Sequence, residues 1–336
     1  MKLFGWTADT GGCAWYRIIA PLETLQANNK IEVQISQLMP QEIALDPETL
    51  IVLQRSTNPA AMVALEAFKE MGKQWVYDLD DLLWAVEPDN PAYNYFGQRV
   101  VRDRLTWHMK NAPAFTASTE TLAQEMRNAG AHNVTVTPNT LPQRVLNNID
   151  KIIEETPRNE QTTIFWRGSP THKNDIKTIR YAMKRWANND EVKIILAGTD
   201  YRKELAIPNA EYIPWVADPE QYLYTVAATR PDIVMCPLAP TRFNYSKSHV
   251  NALEASAMHA IPICSDIQAY ETLITHEQNG YLLSTNEHHW DKTLQTLIKA
   301  TPQERHTLQQ NARNNTNNYT TENWEENLLN AYKPNT

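Results

Sequence analysis

A chain of 336 residues is long for one typical domain and suits two of about 150 residues each, and its 42% hydrophobic content is enough for two cores. The formal charge of -8 and the pI near 5.6 exclude wholesale electrostatic binding of nucleic acid and leave room only for a local basic patch. Three cysteines, Cys13, Cys236 and Cys264, are an odd count with two of them in apolar runs; that excludes a disulfide framework and points to a reducing, cytoplasmic setting. The start MKLFGWTADT lacks a signal-peptide core, and no stretch approaches the roughly 18 consecutive apolar residues of a membrane span.

KLFGWT reads as a first strand, ADTGG as a connection and residues 14–26 as a helix. Glycine is scarce, nine in the whole chain, so the Gly11-Gly12 pair directly after a strand implies a backbone that bends sharply or meets a ligand closely; an ordinary tight turn fits equally. The pair is not part of a GxGxxG fingerprint. IEVQISQL, LIVLQ, a helix over 59–71 and QWVYDLDD continue a strand and helix alternation, which implies a mostly parallel sheet with right-handed crossovers. Asp78, Asp80 and Asp81 fall where the fourth strand ends. Carboxylates there can bind a divalent metal or orient a hydroxyl, and Asp80 or Asp81 can equally cap the turn before LLW. A helix over 98–110 carries Arg99, Arg102, Arg104 and Lys110, which is ordinarily a solvated face. VTVTPNTLP, with Asn139 in its exit, closes a first domain over 1–142, and charged, Asn-rich residues 143–161 read as a linker.

A second sheet starts at TIFWRG, followed by the loop SPTHKND and a helix with Ile176, Ile179, Met183 and Trp186 on one side. Arg167, Ser169, Thr171, His172 and Lys173 therefore crowd the carboxyl end of a strand, where cations and backbone N–H groups suit a diphosphate. KIILAG and AEYIPWV follow, the latter with Ile213 and Trp215 as an apolar wall or as core. Then comes an apolar run over 232–238, a loop with Arg242, Asn244, Ser246, Lys247 and Ser248, and a helix over 249–259 with Val250, Leu253 and Ala257 in its stripe. Ile261-Pro262 ends that helix, and Ile263-Cys264 begins the next strand. Ligands in such βαβ units bind outside the carboxyl ends of the strands. Lys247 beside a helix amino end outlines a phosphate site, and Glu254, about one and a half turns in, can accept from a pair of sugar hydroxyls. The plainer reading is a solvated Lys247 and a surface-paired Glu254. TENWEENLLNAY ends the chain as a helix with Trp324, Leu328 and Leu329 on its apolar face.

The string FNYSKSHVNALEASAMHAIPICSD resembles the signature region of retaining GT-B glycosyltransferases of glycosyltransferase family 4, including bacterial and phage members. The resemblance implies an α/β fold of two Rossmann-like, doubly wound parallel-sheet domains facing a cleft: 1–142 for the acceptor, 162–315 for a nucleotide sugar, and a helix in 316–336 packing back on the first domain. It implies a hexosyl- or pentosyltransferase that needs no metal or other cofactor and keeps anomeric configuration. Glu254 would bind the donor ribose, with Ser246 standing where many members carry a second Glu. Gly12, Arg167, Ser169, His172, Lys173, Ile213, Trp215, Ser246, Lys247 and Ser248 would complete the donor site, with Lys247 and Lys173 stabilising the leaving diphosphate. Gly11, Gly12, Arg17, Asp80, Asp81 and Asn139 would meet the acceptor, with Asp78 or Asp80 in a catalytic role.

The DLDD string also resembles the DxD motif of the GT-A fold, but the alternation of strands and helices over two domains opposes that. Acceptors compatible with the resemblance are a surface glycan and, as in phage DNA modification, a hydroxymethylated pyrimidine. A sugar-nucleotide epimerase and a non-catalytic nucleotide-sugar binder, the latter prompted by Ser246, are the alternatives.

Overall fold

The computed structural model describes residues 1–333 and falls into two compact units. The first comprises Met1–Gln143, Ser246–Ser248 and the chain from Tyr319 onward. Its sheet holds β1 (Lys2–Trp6), β2 (Glu32–Ser36), β3 (Thr49–Gln54), β4 (Trp75–Leu79), β5 (Ala114–Ala117) and β6 (Val134–Val136), in the order β2-β1-β3-β4-β5-β6. All pairs are parallel, with Phe4 of β1 opposite Gln34 on one side and Ile51 on the other. The chain leaves β1 toward β2 and returns to β3 on the other side, so the topological switch point, where open α/β sheets place ligands, lies between the ends of β1 and β3.

Local chemistry explains how the first helix docks. A Cβ on Gly5 would lie 2.7 Å from Ile18 Cγ2, so only glycine lets this helix approach β1 so closely. The helix is not regular: Gly12–Ala14 leads into a π-helical turn, Trp15–Ile19, before Ala20–Ala27. Pro21 has no N–H and would clash with the carbonyl four residues back; the wider turn accommodates it and swings Arg17 inward. The helix Glu325–Tyr332 contributes Leu328 and Tyr332 to the same core as Leu3, Ile18, Leu22, Val52 and Val76.

The second unit comprises Arg144–Tyr245 and His249–Asn318. Most of residues 143–161 is a helix, Gln143–Glu155, whose Val145, Leu146, Ile149 and Ile153 are buried at helical spacing. The sheet holds β7 (Thr162–Gly168), β8 (Val192–Gly198), β9 (Glu211–Pro214), β10 (Ile233–Cys236), β11 (Ile261–Ser265) and β12 (Tyr281–Leu283), all parallel, in the order β12-β11-β10-β7-β8-β9. Its switch point lies between β7 and β10. Ile164 and Trp166 of β7 pack with Ile176, Ile179, Met183 and Trp290 on one face.

The helix expected after SPTHKND is two pieces, Lys173–Lys177 and Arg180–Trp186. The break has a cause: the backbone N–H and the hydroxyl of Thr178 both donate to the Asp175 carbonyl, at 3.1 and 2.7 Å, which tightens the turn. Among the described residues no helix is long and apolar enough to cross a membrane.

Candidate functional site

The switch point of the second unit gathers most of the donor candidates. Arg167, near the end of β7, and Glu254, in the helix Val250–Ala257 that follows β10, meet directly. Nε and Nη2 of Arg167 lie 3.1 and 3.0 Å from Glu254 Oε2, and the Tyr222 hydroxyl donates to the same oxygen at 3.4 Å. The Glu254 side chain is 5% exposed and that of Arg167 25%. Burial, then the Glu254 carboxylate, pushes the Tyr222 phenol well above its ordinary range, so it stays a neutral donor.

Beside this group, the loop after β7 is tied to the loop after β10 by one buried carboxylate. Asp175 accepts from Nδ1 of His172 at 2.8 Å through Oδ2, and from the Ala239 N–H and Asn244 Nδ2 at 2.8 and 2.7 Å through Oδ1. The Ser169 and Thr171 hydroxyls hydrogen-bond at 2.7 Å, while Lys173 is exposed. The floor is a glycine pair. Gly168 and Gly198 lie opposite each other at the ends of β7 and β8; Gly198 has φ of +92° and a Cβ there would sit 2.5 Å from the Gly168 carbonyl oxygen. Trp215 is not a core residue. It is 64% exposed, and its ring lies 3.5 Å from where a Gly198 Cβ would be. Ile213, at the end of β9, is half-buried.

In the first unit Arg17, expected at the acceptor, and Asp78, expected in a catalytic role, are turned inward. Arg17 and Asp78 form an ion pair at 2.6 Å with side chains only 3% and 2% exposed. Arg17 Nη1 also donates to Thr137 O and Asn139 Oδ1, and Thr116 donates to Asp78 Oδ1 at 2.7 Å. Burial works against the Arg17 charge, but Asp78 outweighs it and raises the pKa. These groups hold β4 to the first helix, with the Arg17 and Asp78 side chains buried against each other. The Gly11-Gly12 pair does not make a bend that needs glycine. Neither residue has positive φ, and a Cβ on Gly12 would have nothing within 4 Å, so the pair leaves open room.

What does gather at the β1–β3 switch point is a charged cluster. Cys13, Asp80 and Asp81 place ligand atoms within 4.8 Å of one another, a spacing that can hold a metal. A guanidinium already compensates them: Arg55, just after β3, donates to Cys13 Sγ at 3.1 Å and lies 3.8 Å from Asp80 Oδ1 and 3.6 Å from Asp9 Oδ2. Burial lowers Arg55, and Cys13, Asp80 and Asp9 more than reverse this. Burial, with Asp81 next, raises the Asp80 carboxyl, whose Oδ1 is buried without a hydrogen-bond partner. Burial raises the Cys13 thiol as well. Within this unit Lys247 Nζ lies 3.6 Å from Asp81 Oδ1, Asn139 donates to Ser248 Oγ at 2.8 Å, and Thr119 donates to the Ser246 carbonyl at 3.0 Å.

Sequence reading passed over Arg55, Asp175, Tyr222 and Gly198. Two of these carry a signal: Arg55 directly follows an apolar strand, and Gly198 ends another in a chain poor in glycine. Tyr222 carries none, because its partner Glu254 is 32 residues away, and the tie of Asp175 to the loop after β10 is hidden because Ala239 and Asn244 are 64 and 69 residues away.

No family model matches the chain, and no curated protein matches its sequence. Solved structures do match its fold. HepE from Anabaena in complex with UDP-glucose is 18% identical, with a TM-score of 0.69 over 98% of this chain and 99% of that one. Sucrose-phosphate synthase from Thermosynechococcus elongatus is 13% identical, with a TM-score of 0.69 over 99% and 98%. A glycosyltransferase from Rickettsia africae is 12% identical, with a TM-score of 0.65 over 98% and 97%. The two parallel six-stranded sheets and these likenesses establish the fold as GT-B.

Proposed function

We propose that the chain is a retaining glycosyltransferase of the bacterial cytoplasm, or of a phage-infected cell, that moves a hexose from a UDP-sugar to an acceptor hydroxyl. The observation that carries this reading is the buried Glu254 carboxylate at the switch point of the second unit, where a ribose diol would be expected. The likeness to HepE, whose structure holds UDP-glucose, supports a UDP-sugar as the donor.

In this reading Glu254 accepts from the ribose hydroxyls, and Trp215 and Ile213 wall the base above the Gly168/Gly198 floor. Lys173, with Ser169 and His172 from its loop, and Lys247, with Ser246 and Ser248 from the loop after β10, stabilise charge on the departing diphosphate. No covalent nucleophile is assigned, and the Arg55 guanidinium lies among Cys13, Asp9 and Asp80. The acceptor belongs to the first unit: Asp80 and Asp81 accept from its hydroxyl and the Gly11-Gly12 loop gives it room. Asp9, Asp80 and Asp81 outnumber Arg55 and Lys247 there, which favours a neutral glycan over a phosphodiester.

The test is transfer from UDP-sugars to a panel of glycans and to DNA bearing hydroxymethylated pyrimidines, read by mass spectrometry, with the new anomeric linkage read by NMR. A glycan product with retained configuration is expected, and Lys247→Ala and Glu254→Ala should each abolish it without unfolding the chain. A mass shift on DNA alone overturns the acceptor. Isomerised donor without acceptor identifies an epimerase, and UDP binding without turnover a binding protein.

A further inference from the structure

We infer that Arg167 acts on the donor through Glu254, as a positioning residue for the ribose-binding carboxylate, and is not a ligand of the diphosphate. The inference rests on the reading of the second unit as a nucleotide-sugar site. It departs from what the clustering of Arg167 with His172 and Lys173 in the sequence implies, because the backbone separates them. Side chains alternate along a strand. Phe165 and Arg167 share one face of β7, and Ile164 and Trp166 occupy the other, where they pack with Ile176 and Ile179 of the segment that follows the 169–173 loop.

On its own face Arg167 enters a small recess lined by Phe165, Tyr222, Val234, Cys236, Glu254 and Met258. There Nε and Nη2 converge on one oxygen of Glu254, at 3.1 and 3.0 Å, and the Tyr222 hydroxyl reaches the same oxygen at 3.4 Å. The guanidinium carbon lies 5.9 Å from the centre of the Tyr222 ring, within range of its π face.

Two guanidinium N–H groups from β7 and the Tyr222 hydroxyl from the helix Pro219–Ala227 anchor one carboxylate oxygen from two elements. In these walls the pair is little screened by solvent. Moving Arg167 to a phosphate would strand a carboxylate that is 5% exposed, so the arginine stays where it is when a nucleotide binds. The cation facing the diphosphate from the β7 loop is then Lys173.

The role separates from a merely structural one by which part of the nucleotide it affects. Affinities of UDP, 2′-deoxy-UDP and UMP for the full chain, measured by calorimetry, give a ribose ratio (UDP to 2′-deoxy-UDP) and a phosphate ratio (UDP to UMP). Arg167→Ala should collapse the ribose ratio toward 1 as Glu254→Ala does, with no further loss in the double variant, and leave the phosphate ratio unchanged. Arg167→Lys, which keeps the charge but not the two-pronged contact, should recover only part of the ribose ratio. Lys173→Ala should lower the phosphate ratio and spare the ribose ratio. If Arg167→Ala instead lowers the phosphate ratio as Lys173→Ala does and spares the ribose ratio, this inference is overturned and the nucleotide-sugar reading stands. Absence of UDP binding to the unaltered chain overturns both.

Discussion

Arg17 donates through Nη2 to Asp78 at 2.6 Å in the interior of the first unit, with both side chains almost wholly removed from water. The pair joins the π-helical turn after β1 to the end of β4. Removing one partner leaves the other charge buried: Arg17→Met keeps Thr116 as a donor to Asp78 but loses the guanidinium. The expected cost is about 3–5 kcal/mol in urea denaturation. The double variant Arg17→Met/Asp78→Leu should be more stable than Arg17→Met alone, because no charge is then stranded. A near-neutral Arg17→Met would show that the pair does not hold the unit together.

His108 sets the mild-acid behaviour of the same unit. It stacks on Tyr77 with centroids 3.8 Å apart, and Nε2 lies 2.9 Å from the Ser56 carbonyl oxygen. Burial lowers its pKa to about 3 from an ordinary 6.5. Between those values the unfolded chain takes up a proton that the folded chain refuses, so stability falls as pH drops below 6.5 toward 3. His108→Phe should flatten that part of a plot of melting temperature against pH, whatever its stability at pH 7; an unchanged slope would remove the assignment.

Asp150 governs a lower window in the second unit. His259 lies 2.6 Å from its Oδ1, and Arg313 donates to both of its oxygens. Burial alone would raise its carboxyl, but the bonds from His259 and Arg313 hold it at about 2. A depressed folded pKa gives stability that is whole above the unfolded value of 3.8 and is lost as pH falls through about 2. Asp150→Asn should therefore reduce stability at neutral pH and weaken the loss between pH 4 and 2, read by circular dichroism.

Two glycines make opposite predictions. Gly198→Ala puts a side chain at φ of +92° and against the Gly168 carbonyl oxygen, and should cost at least about 1–3 kcal/mol and weaken UDP binding. Gly12→Ala meets nothing within 4 Å and should change stability by less than about 0.5 kcal/mol. Equal effects in urea denaturation would contradict the backbone constraint assigned to Gly198.

Much of this architecture is legible in the residues themselves. Apolar runs such as TLIVLQ and TIFW, alternating with helical stripes, specify parallel sheets, and the polar residues just after β7 and β10 mark a switch point because the chain has nowhere else to place a strand-end loop. What was not legible depends on distant partners. The burial of Arg17 and Asp78 has no local signal, because a charged side chain is usually exposed and only an ion pair across 61 residues makes burial tolerable. The contact of Arg167 with Glu254 is hidden because adjacency to the basic loop in sequence masks the alternation of faces along β7. Trp215 could have been core or wall; its exposure reflects the end of β9, which no local pattern fixes.

The proposed function requires a nucleotide sugar to be held at the β7–β10 switch point of the second unit. Hydrogen–deuterium exchange of the full chain with and without UDP tests it most directly. Slowed exchange is expected in residues 168–173 and in the helix Val250–Ala257, and it should be lost in Glu254→Ala. UDP binding that leaves both segments unprotected would contradict it.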